Sequence, residues 1–377
     1  MKIAEISDYN GFSALKEEWK DLLSRSIADN IFLTHEWMDS LIRHFYKGDR
    51  LLILSVFDGQ RLAGIAPLVI KKDQYLGLKL RKLCFIGASI SDRMDFILDG
   101  DRDRIITLIF DYIMSLRKEW DVVDLEEIAE CAGNVSAIKG YLDRFRPMRI
   151  IGPDKKSFFI NFNQDKDFIF HKFSKKFNKR LNKLHNREAG LKLGFHRYTN
   201  GDIDPENIFS AAMSIESKSW KGRKASGIFS KENTREFHRE IINRFSKNKW
   251  IDCSILDVNG KQAAYIYNYL YKTRSYSYSM AFDSDYNLIS AGTILMLWAL
   301  KDSALRDISE FDFARGEGSW KSKFTQDYRT HTRVRVFKNT PYCMFLYFMQ
   351  GSLMPFMRNI QILHRVWMKA KEILRWE

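Results

Sequence analysis

Residues 51–70, LLILSVFDGQRLAGIAPLVI, and residues 250–270, WIDCSILDVNGKQAAYIYNYL, decide the fold: each reads as two β-rich runs joined at a tight turn. Asp58-Gly59 and Asn259-Gly260 are type I′ turn signals, because both central positions of that turn need positive φ. A similar helix end precedes each hairpin, Ile42-Arg43-His44-Phe45 in one copy and Ile242-Asn243-Arg244-Phe245 in the other. The order continues in parallel with a third strand (80–87; 276–283), a helix (103–118; 292–306) and another strand (121–127; 310–315). Apolar residues at helical spacing add helices at 12–23, 35–45, 208–219 and 237–245. A strand–helix–strand step of this length needs a parallel crossover beside the antiparallel hairpin, so each copy builds a mixed sheet. The repeat predicts two tandem α/β units of order αα-βββ-α-β.

Composition agrees with that plan. The 377 residues suit two domains, and 45% hydrophobic residues with only six prolines allow sizeable cores and exclude collagen-like or disordered classes. Lys and Arg (61) exceed Asp and Glu (47), giving +14, which favours an anionic partner such as a nucleotide cofactor, nucleic acid or an acidic membrane surface. Cys84, Cys131, Cys253 and Cys343 form no CxxC pair, so no zinc knuckle or disulfide framework is expected and a reducing cytoplasm fits. The start MKIAEISDYNG lacks the apolar stretch of a secretory signal. Residues 339–357 carry no charge but hold Gln350, Gly351, Ser352 and two prolines, which reads as an interfacial or docked segment rather than a membrane span.

Six segments, FLTHEWMDSL, LAGIAPLVI, FIGASISDRMDF, ESKSWKGRKASGIF, SAGTILMLWAL and FDFARGEGSWKSKF, resemble the CelD-like branch of the GNAT acyltransferase superfamily, a tandem GNAT fold related to Fem-type aminoacyl transferases. The likeness runs over about residues 1–340. The chain departs from the family's pattern at Gly318-Ser319-Trp320-Lys321, where an acidic residue and Tyr usually precede the Lys, and at Ala291, where Pro is usual. The resemblance implies a GNAT-like unit at 1–155 that lacks a donor site and contributes to the acceptor cleft. It implies a second GNAT-like unit at 156–340 that binds acyl-CoA. Residues 341–377 remain as a basic amphipathic tail. It further implies transfer of an acyl group, acetyl first, from acyl-CoA to an amine or hydroxyl of a sugar-linked acceptor in polysaccharide or cell-envelope synthesis.

Candidate site residues follow from chemistry. A pyrophosphate sits well on a helix N-terminus, with its free N–H groups and positive dipole end. Ser290, Ala291, Gly292 and Thr293 supply a small, uncharged start in the second copy, whereas Asp101 and Asp103 would repel phosphate in the first. Asp312, Arg315 and Lys321 put one anion and two cations just beyond a strand, suited to orienting an acceptor or neutralising an oxyanion, or to an ordinary ion-pair cluster. In the family this Asp, Arg and Lys belong to the motif, which puts Lys321 first and makes Asp312 a candidate base. At the matching strand end of the first copy, Asp92 and Asp95 are candidate bases, or a turn cap and an ion-pair partner of Arg93. Trp220 and Lys221 lie in a basic, glycine-punctuated loop that closes over an anionic acceptor or is a solvated loop on a core Trp. No Ser-His-Asp or Cys-His grouping is legible, and the eight histidines lack ligand spacing, so no metal is expected.

Two basic segments complete the reading. HKFSKKFNKRLNKLHNR, residues 171–187, carries seven Lys or Arg, no acid, and an apolar stripe at Phe173, Phe177, Leu181 and Leu184. Its charged face suits phosphates of a cofactor, of nucleic acid or of lipid, or is simply solvated. Near the end, Phe356, Ile360, Leu363, Trp367, Ala370 and Leu374 form one helical stripe flanked by cations, a pattern for an interfacial helix on an anionic inner membrane face or for a helix docked on protein. The rival readings are an aminoacyl-tRNA-dependent Fem-type transferase and a non-enzymatic nucleic-acid-binding protein.

Overall fold

The computed structural model describes residues 1–356 apart from 76, 164, 187–189, 200–203, 317 and 355, so the stripe beyond Phe356 lies outside the described residues. The chain divides into two compact units: 1–38, 46–155 and 330 onward form the first, and 39–45 with 156–329 form the second.

In chain order the first unit holds β1 (Lys2–Ile6), α1 (Tyr9–Ala14), α2 (Lys16–Arg25) and α3 (His35–Phe45), whose last turns are counted with the second unit. There follow β2 (Arg50–Asp58), β3 (Arg61–Tyr75), β4 (Leu78–Phe85), β5 (Ile97–Leu98), α4 (Arg102–Ser115), β6 (Val122–Ala129), α5 (Asn134–Phe145) and β7 (Arg149–Asn161), which ends in the second unit. The second unit continues with α6 (Lys166–His185), β8 (Leu193–Thr199), α7 (Pro205–Lys218), α8 (Trp220–Arg223), α9 (Glu232–Lys247), β9 (Ile251–Val258), β10 (Lys261–Tyr271), β11 (Arg274–Phe282), α10 (Ala291–Leu305) and β12 (Glu310–Arg315). Then come β13 (Tyr328–Phe337) and α11 (Pro341–Phe348). Among the described residues, those from Thr330 to the end belong to the first unit, where β13 pairs antiparallel with β6, so residues 330–340 do not join the second unit as the sequence implies.

In the first unit β1, β2, β3 and β4 are antiparallel neighbours, and β4 meets β6 in parallel across the α4 crossover. In the second unit β8, β9, β10 and β11 repeat that meander, β11 meets β12 in parallel, and β12 pairs with the end of β7. The expected mixed sheets are therefore present in both copies. One turn differs. Asn259 and Gly260 both take positive φ, as a type I′ turn requires, but Asp58 still pairs with Arg61, so the first hairpin's loop is Gly59-Gln60 and only Gly59 is left-handed.

In the second unit β10 shows two faces through strict alternation. Ala264 and Ile266 join the apolar core beneath α10 and α6, with Phe173, Phe177, Ile294, Leu295 and Phe311. Tyr265, Tyr267 and Tyr269 point the other way, against Phe229, His238 and Phe245 of the α7–α9 layer. α6 thus buries Phe173, Phe177 and Leu184 of its predicted stripe, packs Leu181 partly buried beside them, and leaves its lysines outside.

Candidate functional site

β11 and β12 are in register only from Arg274/Glu310 to Tyr276/Asp312. Past that point β11 stays paired with β10 to Phe282 through a one-residue bulge at Tyr278, and β12 bulges as well: its register with β7 shifts between Asp312 and Arg315, and Ala314 between them sits at φ 58°. An extra residue in one strand bends it and turns it from its neighbour. The two strands therefore part at their carboxyl ends and leave a wedge. In α/β folds that end of a sheet is where ligands bind.

Three side-chain groups stand around this wedge. On the β12 wall, Asp312 is buried and its Oδ1 accepts from the Ala314 N–H at 2.7 Å, while Arg329 pairs with Asp312 and Glu310. Lys321, also buried, donates from Nζ to the carbonyls of Ala314 (2.8 Å) and Arg315 (2.7 Å), so its charge holds the peptide groups that the bulge turns out of the ladder. Arg315 is the last residue of the strand and half-buried. On the β11 wall, Lys221 donates to the Met280 carbonyl at 2.8 Å. Burial lowers the affinity of Lys221 for its proton, against a smaller opposite pull from Glu216. Glu216 is itself buried and accepts from Tyr265 Oη and from the Phe229 N–H, each at 2.8 Å. Trp220, next to Lys221, is half exposed with Lys224 over its ring.

The third group is the start of α10. Ser290, the residue before it, is left-handed (φ 58°, ψ 49°), no side chain caps the helix, and its first turn holds no acid. Thr293 is exposed there, while Ala291 and Gly292 are buried. Gly292 packs so closely that a Cβ would lie 3.0 Å from a Phe282 ring carbon and 3.2 Å from Met280 Cε. Met280 thus joins two segments that the sequence treats separately: its carbonyl holds Lys221 and its side chain lies on Gly292.

The first unit has the same parts in another state. β4 and β6 pair from Lys82/Val122 to Cys84/Asp124, and β6 bulges at a left-handed Glu127 (φ 61°). Here, however, eleven residues, 86–96, stand between Phe85 and Ile97, the two partners of β3, where three, 278–280, stand between Ser277 and Ala281 opposite β10. This insertion runs back along β6: the Met94 N–H donates to the Glu127 carbonyl, and Met94 bridges to Ile128. It fills the wedge. Asp92, Arg93 and Asp95 all lie in it and are buried. Asp95 Oδ1 accepts from Asn134 Nδ2 and from the Phe96 N–H at 2.8 Å, Oδ2 has no hydrogen-bond partner, and burial pushes the carboxyl up to about 7. The α4 start is closed as well, because Asp101 caps the Arg104 N–H and Asp103 occupies the first turn.

The structure therefore gathers Ser290–Thr293, Trp220, Lys221, Asp312, Arg315 and Lys321 within the second unit and places Asp92, Arg93 and Asp95 in the packed insertion of the first. Sequence reasoning missed Met280, Glu216, Tyr265 and Arg329. Only the alternation YIYNY and SYSYS hinted that one sheet face is polar and aromatic. Among the described residues no three His, Cys, Asp or Glu side chains group as metal ligands, and no helix is long and apolar enough to cross a membrane.

Residues 171–322 match the model of the acetyltransferase (GNAT) domain, a stretch that contains the wedge and the α10 start. No curated protein matches the chain in sequence. Among solved structures, FemX shares 9% identity over 92% of this chain and 100% of its own, with a TM-score of 0.59. The C-terminal domain of a putative lysylphosphatidylglycerol synthetase from Agrobacterium fabrum shares 11% over 89% and 95%, at 0.53. A conserved protein of unknown function from Bacteroides thetaiotaomicron shares 12% over 89% and 100%, at 0.52. At such identities these likenesses carry the fold alone: two GNAT-like mixed α/β units in tandem.

Proposed function

We propose that the chain is an acyl-CoA-dependent acyltransferase of the CelD-like branch, which moves an acyl group, acetyl first, to an amine or hydroxyl of a sugar-linked acceptor in cytoplasmic steps of polysaccharide or cell-envelope synthesis. The observation that carries this reading is the open wedge of the second unit with an uncapped, acid-free helix start at its mouth. The residues fit the donor: the backbone N–H groups of Ala291 and Gly292 suit its pyrophosphate, the Thr293 N–H being turned to the Ser290 carbonyl, and Gly292 and Ser290 let the backbone approach. Acyl-CoA supplies an acyl group activated as a thioester, with a thiolate as leaving group.

The chain's own part is positioning and proton transfer. Peptide N–H groups of β11 beyond Tyr276 polarise the acyl carbonyl. Lys221, held at the Met280 carbonyl and more readily neutral than an exposed lysine, takes the proton from the attacking acceptor. Trp220 and Arg315 orient the acceptor at the rim. Asp312 and Lys321 keep the β12 wall in its bulged form, and Asp95 serves the packing of the first unit rather than proton transfer. Lys221→Met lowers kcat about a hundredfold with little change in donor affinity, and Lys221→Arg does not rescue it. Equal kcat in Lys221→Met overturns the role.

A second reading is favoured by the fold shared with FemX and by the exposed lysines of α6: an aminoacyl-tRNA donor in the same wedge. Thermal unfolding decides, since a ligand at a hundred times its Kd adds ~2.7 kcal/mol. Stabilisation by acetyl-CoA and not by charged tRNA supports the first reading. The reverse result replaces it.

A further inference from the structure

α11 wears its apolar side chains on the outside. Cys343 and Leu346 pack inward on Leu80, Val122 and Phe337 of the first unit. Met344, Phe345 and Phe348 stand about half exposed on the other side, and Phe356 and the β3–β4 hairpin residue Leu78 are also exposed. The helix and the hairpin are tied together: Tyr342 Oη donates to the Lys79 carbonyl at 3.1 Å, and Tyr75 Oη meets Met354 Sδ. From Asn339 to Phe356 there is no charge. The hairpin and the strand leading into α11 supply cations instead. Asp73 and Asp121 are engaged by Lys82 and Arg81, which leaves Lys71, Lys72, Lys79 and Lys338 in no ion pair among the described residues. The register even sets Lys71 opposite Lys82 and Lys72 opposite Arg81.

We propose that the outer face of α11 and the β3–β4 hairpin dock on an anionic lipid bilayer, the aromatic and Met side chains entering the interface and the lysines lying among the head groups. Charge complementarity selects this occupant. A second copy meeting the patch about a two-fold axis would gather both sets of lysines in one interface, whereas an anionic bilayer satisfies both the apolar and the cationic part. The proposal stands apart from the donor assignment.

Flotation of the full chain with phosphatidylglycerol-containing vesicles, against pure phosphatidylcholine vesicles, tests it. Binding to the anionic vesicles, reduced at least about tenfold by Phe345→Glu/Phe348→Glu and by Lys72→Glu/Lys79→Glu, is the expected result. These side chains are exposed, so melting curves and acetyl-CoA affinity stay as in the unmodified chain. Absence of binding, equal binding to both vesicle types, or a dimer in light scattering that Phe345→Glu/Phe348→Glu dissociates overturns the proposal.

Discussion

The two wedges differ in who satisfies the bulge. In the first unit the carbonyl of the left-handed residue, Glu127, is met by the Met94 N–H as well as by His331 Nδ1, and a stretch of chain lies in the wedge to bring Met94 there. In the second the carbonyl of Ala314 takes it from Lys321 Nζ, a side chain arriving from outside, and the wedge stays clear. One long, flexible cation thus does without the backbone by which the first unit is longer, eleven residues against three. The helix starts follow suit: α4 is capped by its own Asp101, and α10 is left without a side-chain cap.

The largest test of this contrast is at the helix start. Gly292→Asp puts a carboxylate and a crowded Cβ at the mouth of the open wedge, and acyl-CoA affinity should fall more than about a hundredfold in calorimetry, ~2.7 kcal/mol. Thr293→Asp, at an exposed position, controls for misfolding and should lose about tenfold by charge alone. Asp101→Ser with Asp103→Ser should create no donor binding in the first unit, because the insertion still fills its wedge. Unchanged affinity in both α10 variants would remove the donor from this helix.

Next in size is Lys321→Met. It leaves two inward carbonyls without their ammonium and should destabilise the second unit by about 2 kcal/mol, lowering Tm on the order of 5 °C. Turnover should fall further than donor affinity as the β12 wall relaxes. A variant with wild-type melting and activity would show that neither the bulge nor turnover depends on Lys321.

Two smaller tests use acid. Asp95 binds its proton more tightly folded than unfolded, so its contribution is full below about pH 4 and is lost as the pH rises to about 7. Asp95→Asn should therefore gain about 1–2 kcal/mol at pH 8 and nothing at pH 4. His238 in the second unit behaves oppositely. Buried against Phe237, Tyr267 and Tyr278, with Nδ1 unbonded, it is pushed down to about 3, and its stability is present above pH 6.5 and drains away as the pH falls toward 3. His238→Phe should remove about 1 kcal/mol of the loss seen between pH 7.5 and pH 5.5. A flat difference between variant and parent across pH would refute either assignment.

Much of the architecture was legible because it rests on short-range signals. Alternation in 51–70 and 250–270, the Asn-Gly turn and the helical stripes each fix local geometry, and their recurrence fixes the order. The asymmetry of the helix starts was legible too, from Asp101 and Asp103 against Ser290–Thr293. What the residues did not reveal was direction of side chains near the bulges. Asp95 and Lys321 look like reactive groups in a polar loop, but one turns into the core toward Asn134 and the other onto carbonyls seven and six residues back. The meeting of Lys221 with Met280, 59 positions away, depends on the placement of α8 beside β11, which no local pattern encodes.

The bulge itself is common to both copies, whatever each does with it. A non-glycine residue in the left-handed region costs about 1–2 kcal/mol, yet both copies keep one, Glu127 and Ala314, within a residue of the same place relative to Asp124 and Asp312. Only one of the two copies has an opening for it to serve. The kink is then no mark of an open wedge: the same left-handed residue stands beside a clear opening in one unit and beside a purely architectural partner in the other.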